Sequence, residues 1–252
     1  MIEIEDVCKR FGNLAAVDHL NLKVPPGLVF GFLGPNGAGK TTTLRMLAGL
    51  LKPDEGRVRL GGVDMAERPE EAKALLGYVP DKPSLYPQLT GRETLRLVAG
   101  LYGLDKDSAE KRIGELLSGF ELAGWGDERV GNYSHGMRQK LAVSAALLHQ
   151  PSVYIFDEPM VGLDPKGSRL IKNLFRRLAD AGQTVFLSIH TLEVAESLCD
   201  RLAILFNGRL LMEGSPQEIR RRAGEENGRT LEQAFLALTG EEPDRISAEG
   251  FL

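Results

Sequence analysis

The amino-acid sequence predicts an α/β protein: a mostly parallel sheet with an N-terminal antiparallel β portion, plus an inserted α-helical subdomain. Apolar and polar residues alternate through much of residues 1–24, which is typical of strands with one buried face. A continuous apolar run such as VYIF at residues 153–156 is typical of a strand buried on both faces, as in parallel sheets. Residues 81–150 differ because three predicted helices follow one another there, and this block is the predicted subdomain.

Turn residues and apolar spacing place the individual elements along the chain. Two strands are predicted in residues 1–24, with Gly12 and Asn13 at the turn between them, and Asn207 and Gly208 indicate a hairpin near the end. The elements predicted up to residue 149 are a strand at 28–33, a helix at 41–51, strands at 57–60 and at Val63, a helix at 69–74, a strand at 75–79, and helices at 91–101, 106–120 and 135–149. Those predicted beyond it are a strand at 153–156, a helix at 166–181, a strand at 184–189, a helix at 192–198, strands at 202–205 and 210–212, and helices at 216–222 and 231–238.

These elements predict one main domain followed by a short extension. The domain covers residues 1–215, and the helical subdomain is inserted into it at about 84–150. Residues 216–252 are predicted to be a C-terminal helical extension whose last part, from residue 241, is polar.

The composition narrows the class of protein. The chain has 42% hydrophobic and 26% charged residues and a net charge of −4, as expected for an ordinary globular protein without a nucleic-acid-binding surface. Cys8 and Cys199 lie far apart, which predicts neither a zinc site nor a disulfide framework and fits a reducing compartment. There is no signal-peptide pattern and no apolar run of about 18 residues, so we expect a soluble chain that reaches a membrane only through a partner.

A glycine-rich loop follows the predicted strand at residues 28–33. Residues 34–41 read GPNGAGKT and match the phosphate-loop (Walker A) pattern G-x-x-x-x-G-K-[ST], with a strand before it and a helix after it. A turn that binds nothing is the alternative, and this context argues against it. Backbone N–H groups and the helix N-terminus would hold the phosphates, Lys40 would neutralise them, and Thr41 would offer its hydroxyl to Mg²⁺. The residues predicted to bind the nucleotide here are Gly34, Pro35, Asn36, Gly37, Ala38, Gly39, Lys40, Thr41 and Thr42.

Two acids end the apolar run at residues 153–156. Asp157 is predicted to organise Mg²⁺, and Glu158 to accept a proton from an attacking water. A strand that simply reaches solvent is the alternative explanation for these acids. The pairing with a phosphate loop favours the functional interpretation and indicates a P-loop NTPase core.

Several further segments carry a resemblance to a known family. YSHGMRQKLAVSAALL at residues 133–148 resembles the signature segment of ATP-binding cassette (ABC) ATPases, and it lies just before the acid-bearing strand, as in that family. The other segments that resemble family motifs are GLDP at 162–165 (the D-loop), SIH at 188–190 (the switch histidine), KRFG around Phe11 (the adenine-stacking aromatic) and GYVPDKPSLYPQLTGRETL at 77–95 (the Q-loop region). With the phosphate loop, these five segments make six motifs in the family's order, and together they cover roughly residues 1–215.

The resemblance implies roles that the residues alone leave open. Ser134 and Gly136 would complete the nucleotide site of an opposing copy, although a serine at a helix start can also be a simple cap. His190 would contact the γ-phosphate, although a single histidine after a strand can be structural. Phe11 would stack on adenine, although an aromatic residue in a strand usually belongs to the core.

Two positions depart from the family pattern. His135 stands in the signature segment where the family usually has glycine, so an imidazole must fit there or point away. Asp81 stands where the Q-loop usually carries glutamine; either it reaches Mg²⁺ indirectly or it is only a loop residue. Gln139 is expected to differ in role from the usual signature glutamine, because MRQ replaces the common ending of the segment.

The resemblance implies the ATP-binding and ATP-hydrolysing subunit of an ABC transporter of the export-type branch. We expect it to use ATP and Mg²⁺, to form a head-to-tail homodimer when ATP is bound, and to energise a separate transmembrane permease from the cytoplasmic face of the cell membrane. A cassette ATPase acting in translation or DNA maintenance is the alternative. Such proteins usually carry a second cassette, coiled coils or zinc modules, which this sequence lacks.

Overall fold

The computed structural model describes residues 1–222. The strands are β1 (Ile2–Phe11), β2 (Leu14–Val24), β3 (Val29–Leu33), β4 (Glu55–Leu60), β5 (Val63–Asp64), β6 (Leu76–Val79), β7 (Val153–Asp157), β8 (Thr184–Ile189), β9 (Arg201–Phe206) and β10 (Arg209–Gly214). The helices are α1 (Lys40–Leu47), α2 (Pro69–Ala74), α3 (Gly91–Leu101), α4 (Lys106–Gly119), α5 (His135–Leu148), α6 (Pro165–Asp180), α7 (Leu192–Leu198) and α8 (Pro216–Arg222), with short 3₁₀ turns at Ala123–Trp125 and Val130–Asn132. The helix predicted at 231–238 and the polar end lie outside the described residues.

The strands form two sheets, as the alternating and continuous apolar patterns predict. The smaller sheet is antiparallel with the order β2-β1-β4-β5. The larger sheet has the order β10-β9-β3-β8-β7-β6, and every pair in it is parallel except β10 with β9. Because β8 lies between β3 and β7, the loops that follow β3 and β7 emerge at the same edge of this sheet.

The larger sheet is covered on both faces, which explains its continuous apolar strands. On one face Phe30 and Phe186 stack with ring centroids 5.7 Å apart, in a core shared with α1 and the smaller sheet. On the other face Phe156 packs on Phe175 of α6 at 4.6 Å. Every residue of β3, β7 and β8 is buried.

The three helices of residues 91–148 pack on one another through an apolar stripe that includes Leu95, Ile113 and Leu141. Each begins at a side chain that accepts a hydrogen bond from a free backbone N–H. Thr90 forms a full capping box with Glu93, and Asp105 and Ser134 cap the other two helices. The helices therefore begin where the sequence predicts, while the division of the chain into domains stays a prediction.

Helix α1 is shorter than the prediction of residues 41–51. It begins at Lys40 and ends at Leu47. Gly49 has a φ of +63°, and the N–H of Leu50 donates to the carbonyl of Arg45 at 2.9 Å. A left-handed glycine with this bond closes the helix, and the apolar residues that follow it are loop residues.

Candidate functional site

The glycine loop between β3 and α1 is pressed against the backbone of its neighbours. Gly39, at the N-terminus of α1, has a φ of +105°, and a Cβ at this position would lie 2.3 Å from the carbonyl oxygen of Ala16. A Cβ on Gly34 would lie 2.5 Å from the carbonyl oxygen of Leu205. Gly37 has a φ of +82° but open space around it. Close packing therefore requires glycine at both Gly34 and Gly39, and at Gly39 the left-handed backbone conformation requires it as well.

Lys40 closes this loop from inside. Its side chain is buried, and Nζ donates to the carbonyl oxygens of Gly34 at 2.6 Å and of Pro35 at 3.0 Å. Burial lowers the pKa of Lys40, and the nearby charges of Glu158 and Asp157 oppose that shift. The ammonium group is thus held at the centre of the loop, close to both acids.

The acids at the end of β7 are held by a serine of the neighbouring strand. Ser188 is fully buried; its hydroxyl donates to Asp157 Oδ1 at 2.5 Å and accepts from the backbone N–H of Glu158 at 2.9 Å. Asp157 is only 2% exposed, and the hydrogen bond from Ser188 reaches only one of its two oxygens, Oδ1. Sequence reasoning did not assign a role to Ser188. The signal was a hydroxyl inside the otherwise apolar run TVFLSI.

Glu158 and His190 lie together. His190 Nδ1 is 3.3 Å from Glu158 Oε2, and half of the His190 side chain is exposed. Glu158 has a φ of +50°, in the left-handed region that costs a residue with a side chain about 1–3 kcal/mol. Such a conformation is maintained by its surroundings, here by the bond from the Glu158 N–H to Ser188. The sequence analysis gave each residue a separate role, and the structure brings the two side chains together.

A cleft of about 730 Å³ opens beside the loop and the acids. Thr41, Asp157 and Asp81 all line it, which is the arrangement that the Q-loop interpretation of Asp81 requires. Burial raises the pKa of the neighbouring Tyr78 to about 12, and the charges of Asp157 and Asp81 add to the shift. Oxygen ligands of the kind that Mg²⁺ prefers therefore face one space.

Ser134 and Gly136 lie apart from this cleft, at the N-terminus of α5. The hydroxyl of Ser134 accepts from the N–H of Met137 at 3.2 Å, so the residue is a helix cap, and it is exposed. The imidazole of His135 fits beside Gly162: a Cβ on that glycine would lie 2.2 Å from His135 Cδ2. The histidine is accommodated because the residue it faces has no side chain.

The exposure and hydrogen bonding of three other residues in the family-like segments, Phe11, Asp164 and Gln139, are defined by the structure. Phe11 is 51% exposed at the end of β1, with Lys9 Nζ 5.8 Å from the ring centroid, so the alternative of a core residue is wrong. Asp164 caps α6 through a 2.8 Å bond from the N–H of Gly167. Gln139 is buried, and its Oε1 has no hydrogen-bond partner within residues 1–222.

The loop that follows β3, with its buried lysine, and the acids that end β7 define a P-loop nucleotide-binding protein. A family model described as "ABC transporter" matches residues 17–161. The chain belongs to the ABC transporter family, and the resemblance drawn from the motifs is confirmed. The proteins of this ATP-binding cassette family are ATPases, as predicted.

Curated relatives include transport proteins of several bacteria. The probable multidrug ABC transporter ATP-binding protein YbhF of Escherichia coli (strain K12) is 36% identical over 94% of this chain. The chain spans only 41% of the length of YbhF. The Nod factor export ATP-binding protein I of Cupriavidus metallidurans is 40% identical, over 87% of this chain and 72% of that protein. The daunorubicin/doxorubicin resistance ATP-binding protein DrrA of Streptomyces peucetius is 40% identical, over 88% and 68%.

Solved structures agree with the predicted fold. An ATP-binding subunit of an ABC transporter matches with a TM-score of 0.89 and 34% identity, over 95% of this chain and 99% of that one. The dimeric post-hydrolysis cassette MJ0796 bound to ADP and Pi matches with a TM-score of 0.78 and 27% identity, over 85% of this chain and 98% of that one. Within residues 1–222 no helix combines the length and apolar character needed to cross a membrane.

Proposed function

We propose that this chain is the ATP-binding and ATP-hydrolysing subunit of an export-type ABC transporter and that it energises a separate transmembrane permease. The observation that carries the proposal is the meeting of Lys40, Asp157 and Glu158 at one edge of the larger sheet. The names of the relatives, which refer to multidrug transport, Nod factor export and drug resistance, support the export branch. The alternative in translation or DNA maintenance has no support among these relatives.

The phosphate loop binds ATP in this proposal. The loop and the first turn of α1 surround the phosphates with N–H groups, and the helix N-terminus adds its positive potential. Lys40 Nζ exchanges its carbonyl partners for phosphate oxygens. The ring of Phe11, exposed at the end of β1, stacks on the adenine.

Thr41 and Asp157 would hold Mg²⁺, and Asp81 would act on it from the same cleft. The hydroxyl and carboxylate oxygens fit the ion, since a hard cation prefers oxygen ligands. Ser188 occupies Asp157 Oδ1 and leaves the second oxygen for the ion or its water. When bound, the ion neutralises phosphate charge and orients the nucleotide.

Glu158 accepts the proton of the attacking water, and His190 contacts the γ-phosphate. The 3.3 Å separation of His190 Nδ1 and Glu158 Oε2 lets the imidazole orient the carboxylate and respond to the phosphate beside it. Glu158 lies close enough to Lys40 for its charge to oppose the lowering of the lysine pKa that burial causes.

A second copy completes each site. Ser134 and Gly136 lie at an exposed helix N-terminus away from the cleft of their own chain, as a group that serves an opposing chain must. Two copies would therefore bind head to tail around two nucleotides, and the dimeric solved cassettes support this assembly. Closing and opening of the dimer would drive the permease.

The permease contacts the helical subdomain and the segment at residues 82–92, and the chain lies at the cytoplasmic face of the membrane through that contact. Tyr86 and Leu101 in this region are large apolar side chains that are mostly exposed. The subdomain is inserted at about 84–150 in a domain of residues 1–215, and residues 216–252 form the extension.

Glu158→Gln tests the proposal. The variant keeps the size of the side chain and removes the base, so we expect ATP binding to persist, hydrolysis to fall at least about 100-fold, and a dimer to accumulate with ATP. Light scattering coupled to size-exclusion chromatography measures the dimer, and a phosphate-release assay measures turnover. A variant that hydrolyses ATP at the wild-type rate, or that stays monomeric with saturating ATP, would contradict the proposed role and assembly.

A further inference from the structure

A second group of metal-ligating side chains lies outside the nucleotide site, where β1 pairs with β2. Cys8, Asp18 and His19 each offer one ligand atom, and these atoms lie within 4.8 Å of one another. Val7 pairs with Leu20 and Lys9 with Val17, so Cys8 alone faces the two residues Asp18 and His19. A β-bulge of this kind redirects a side chain that regular alternation would send to the other face of the sheet.

The backbone is unusual at this bulge, which contains His19, and at the neighbouring irregularity of β1 between Ile4 and Val7, which contains Asp6. Asp6 and His19 have φ values of +50° and +49°, in the left-handed region that a residue with a side chain seldom adopts. Strained residues of this kind are found where the surrounding structure holds them for a purpose. Here the two left-handed residues are joined directly, because His19 Nδ1 lies 2.8 Å from Asp6 Oδ1.

That hydrogen bond selects the nitrogen of His19 that remains for a metal. With Nδ1–H donating to the Asp6 carboxylate, the lone pair of the neutral ring is on Nε2, which lies 3.9 Å from Asp18 Oδ1. A histidine that donates to a carboxylate with one nitrogen and presents the other is the arrangement found around protein metal ions. The imidazole is 58% exposed, so an ion can reach it from solvent.

The other two ligands are already positioned. Asp18 Oδ2 accepts hydrogen bonds from Arg209, at 2.7 Å from each of two guanidinium nitrogens, which leaves Oδ1 facing His19. Cys8 Sγ is buried and accepts from the N–H of His19 at 3.3 Å. The carboxylates of Asp6, Asp18 and Glu55 act on His19 and outnumber the guanidinium groups of Arg209 and Arg10 near Asp18, so the local charge favours a cation.

We propose that Cys8, Asp18 and His19 bind one Zn²⁺ ion, with water as the fourth ligand. A thiolate with an imidazole favours zinc and similar transition metals, whereas Mg²⁺ prefers oxygen ligands. Tetrahedral zinc holds such ligand atoms about 3.3–3.6 Å apart. The Nε2–Oδ1 separation of 3.9 Å is close to this spacing, and the three ligand atoms lie within 4.8 Å of one another, so a shift of about 1 Å in the side chains brings them to one ion. The spacing of the two cysteines predicted no zinc site because the ligands meet across two strands.

The site is separate from the nucleotide site but connected to it. The N–H of Asp18 donates to the carbonyl of Gly208 at 2.9 Å, and the N–H of Gly208 donates to the carbonyl of Ala38 in the phosphate loop at 3.0 Å. No side chain is shared between the two sites. Metal binding here can therefore be measured in the full chain in the presence of excess Mg²⁺ and ATP.

Titration of the chelator-treated full chain with Co²⁺ tests the proposal. We expect one equivalent of Co²⁺ to produce thiolate-to-cobalt charge-transfer absorption, Zn²⁺ to abolish it, and excess Mg²⁺ to leave it unchanged. His19→Asn removes Nε2 and retains a residue that tolerates a left-handed φ, so the band is lost while the chain stays folded. Asp6→Asn keeps a hydrogen-bond acceptor without the charge and should weaken Co²⁺ binding about 10–100-fold.

Cys199→Ser is the matched control. Cys199 is the second buried cysteine, and it packs against Gly31, away from β1 and β2. The control should retain the full band, whereas Cys8→Ser should lose it. Absence of the band in the wild-type chain, its survival in His19→Asn, or its loss in Cys199→Ser alone would overturn the proposal.

Discussion

Ser188→Ala isolates the residue that holds both acids of the site. The hydroxyl makes two bonds, to Asp157 Oδ1 and from the Glu158 N–H, and no water reaches Ser188 to replace them. A buried polar group that loses its partner costs about 1–3 kcal/mol, so two such groups predict a loss of about 2–6 kcal/mol in the free energy of unfolding. For a chain of this length that loss lowers the melting temperature by about 4–24 °C.

Equilibrium unfolding in urea measures this change. The midpoint should fall without a change in slope, because the same surface is exposed on unfolding. We also expect kcat for ATP hydrolysis to fall at least about tenfold, equivalent to about 1.4 kcal/mol, since Asp157 and Glu158 lose their common partner.

Ser144→Ala is the control for this prediction. Ser144 is also fully buried, but its hydroxyl donates to the carbonyl of Lys140 one helical turn earlier, at 2.9 Å. That carbonyl lies within α5, where the helical bonding pattern already serves it, and alanine favours a helix slightly over serine. The control should stay within about 0.5 kcal/mol of wild type with normal turnover. Equal stability and equal kcat for both variants would refute the assigned role of Ser188.

Three further predictions concern the loop, the cleft and the half-buried His149. Gly39→Ala should lower the free energy of unfolding by at least about 2 kcal/mol, because its Cβ would meet the carbonyl of Ala16. Gly37→Ala is the control, because Gly37 has open space around it, and it should lower the free energy of unfolding by about 1 kcal/mol. Equal losses for the two variants in urea unfolding would contradict the packing argument. Asp81→Gln should retain or raise ATP hydrolysis if Asp81 is at the Q-loop position, and complete loss of phosphate release would show that the acid itself is needed. Burial lowers the pKa of His149, whose Nε2 lies 3.0 Å from the carbonyl of Leu76. The unfolded chain therefore binds a proton first as the pH falls from about 7 to 5, and the stability of the folded chain falls with the pH. His149→Gln should make the melting temperature depend less steeply on pH in this range. An unchanged dependence of melting temperature on pH would rule out His149 as its source.

Local patterns predict most of the elements. The alternation of Ile2 and Ile4 with polar residues identifies β1, and the start signal at Thr90 fixes the beginning of α3, because each depends on a few adjacent residues. The phosphate loop is recognised in the same way, since its glycines, lysine and threonine are contiguous in the sequence. The predicted end of α1 was wrong because apolar residues continue past Gly49 and suggested a longer helix. A glycine in the left-handed conformation ends a helix whatever the apolar pattern after it.

Contacts between distant segments could not be predicted from such patterns. The position of β8 between β3 and β7 decides that Ser188 meets Asp157, and strand order depends on the packing of the whole sheet. The fit of His135 depends on the absence of a side chain at Gly162. In the sequence alone, His135 is only a departure from the family's signature segment, and Gly162 is only an ordinary turn residue.

The charge balance of the cleft indicates what an aspartate at position 81, in place of the family's usual glutamine, changes physically. Asp81 and Asp157 line the same space, and both raise the pKa of Tyr78. The opposing cation, Lys40, is buried and already bonded to two carbonyls. A triphosphate would add several negative charges to this space, and repulsion between them and the acids grows as water is excluded. We therefore expect Asp81, in its proposed Q-loop role, to increase the demand for a divalent cation beside Thr41, where a glutamine would supply only a neutral oxygen.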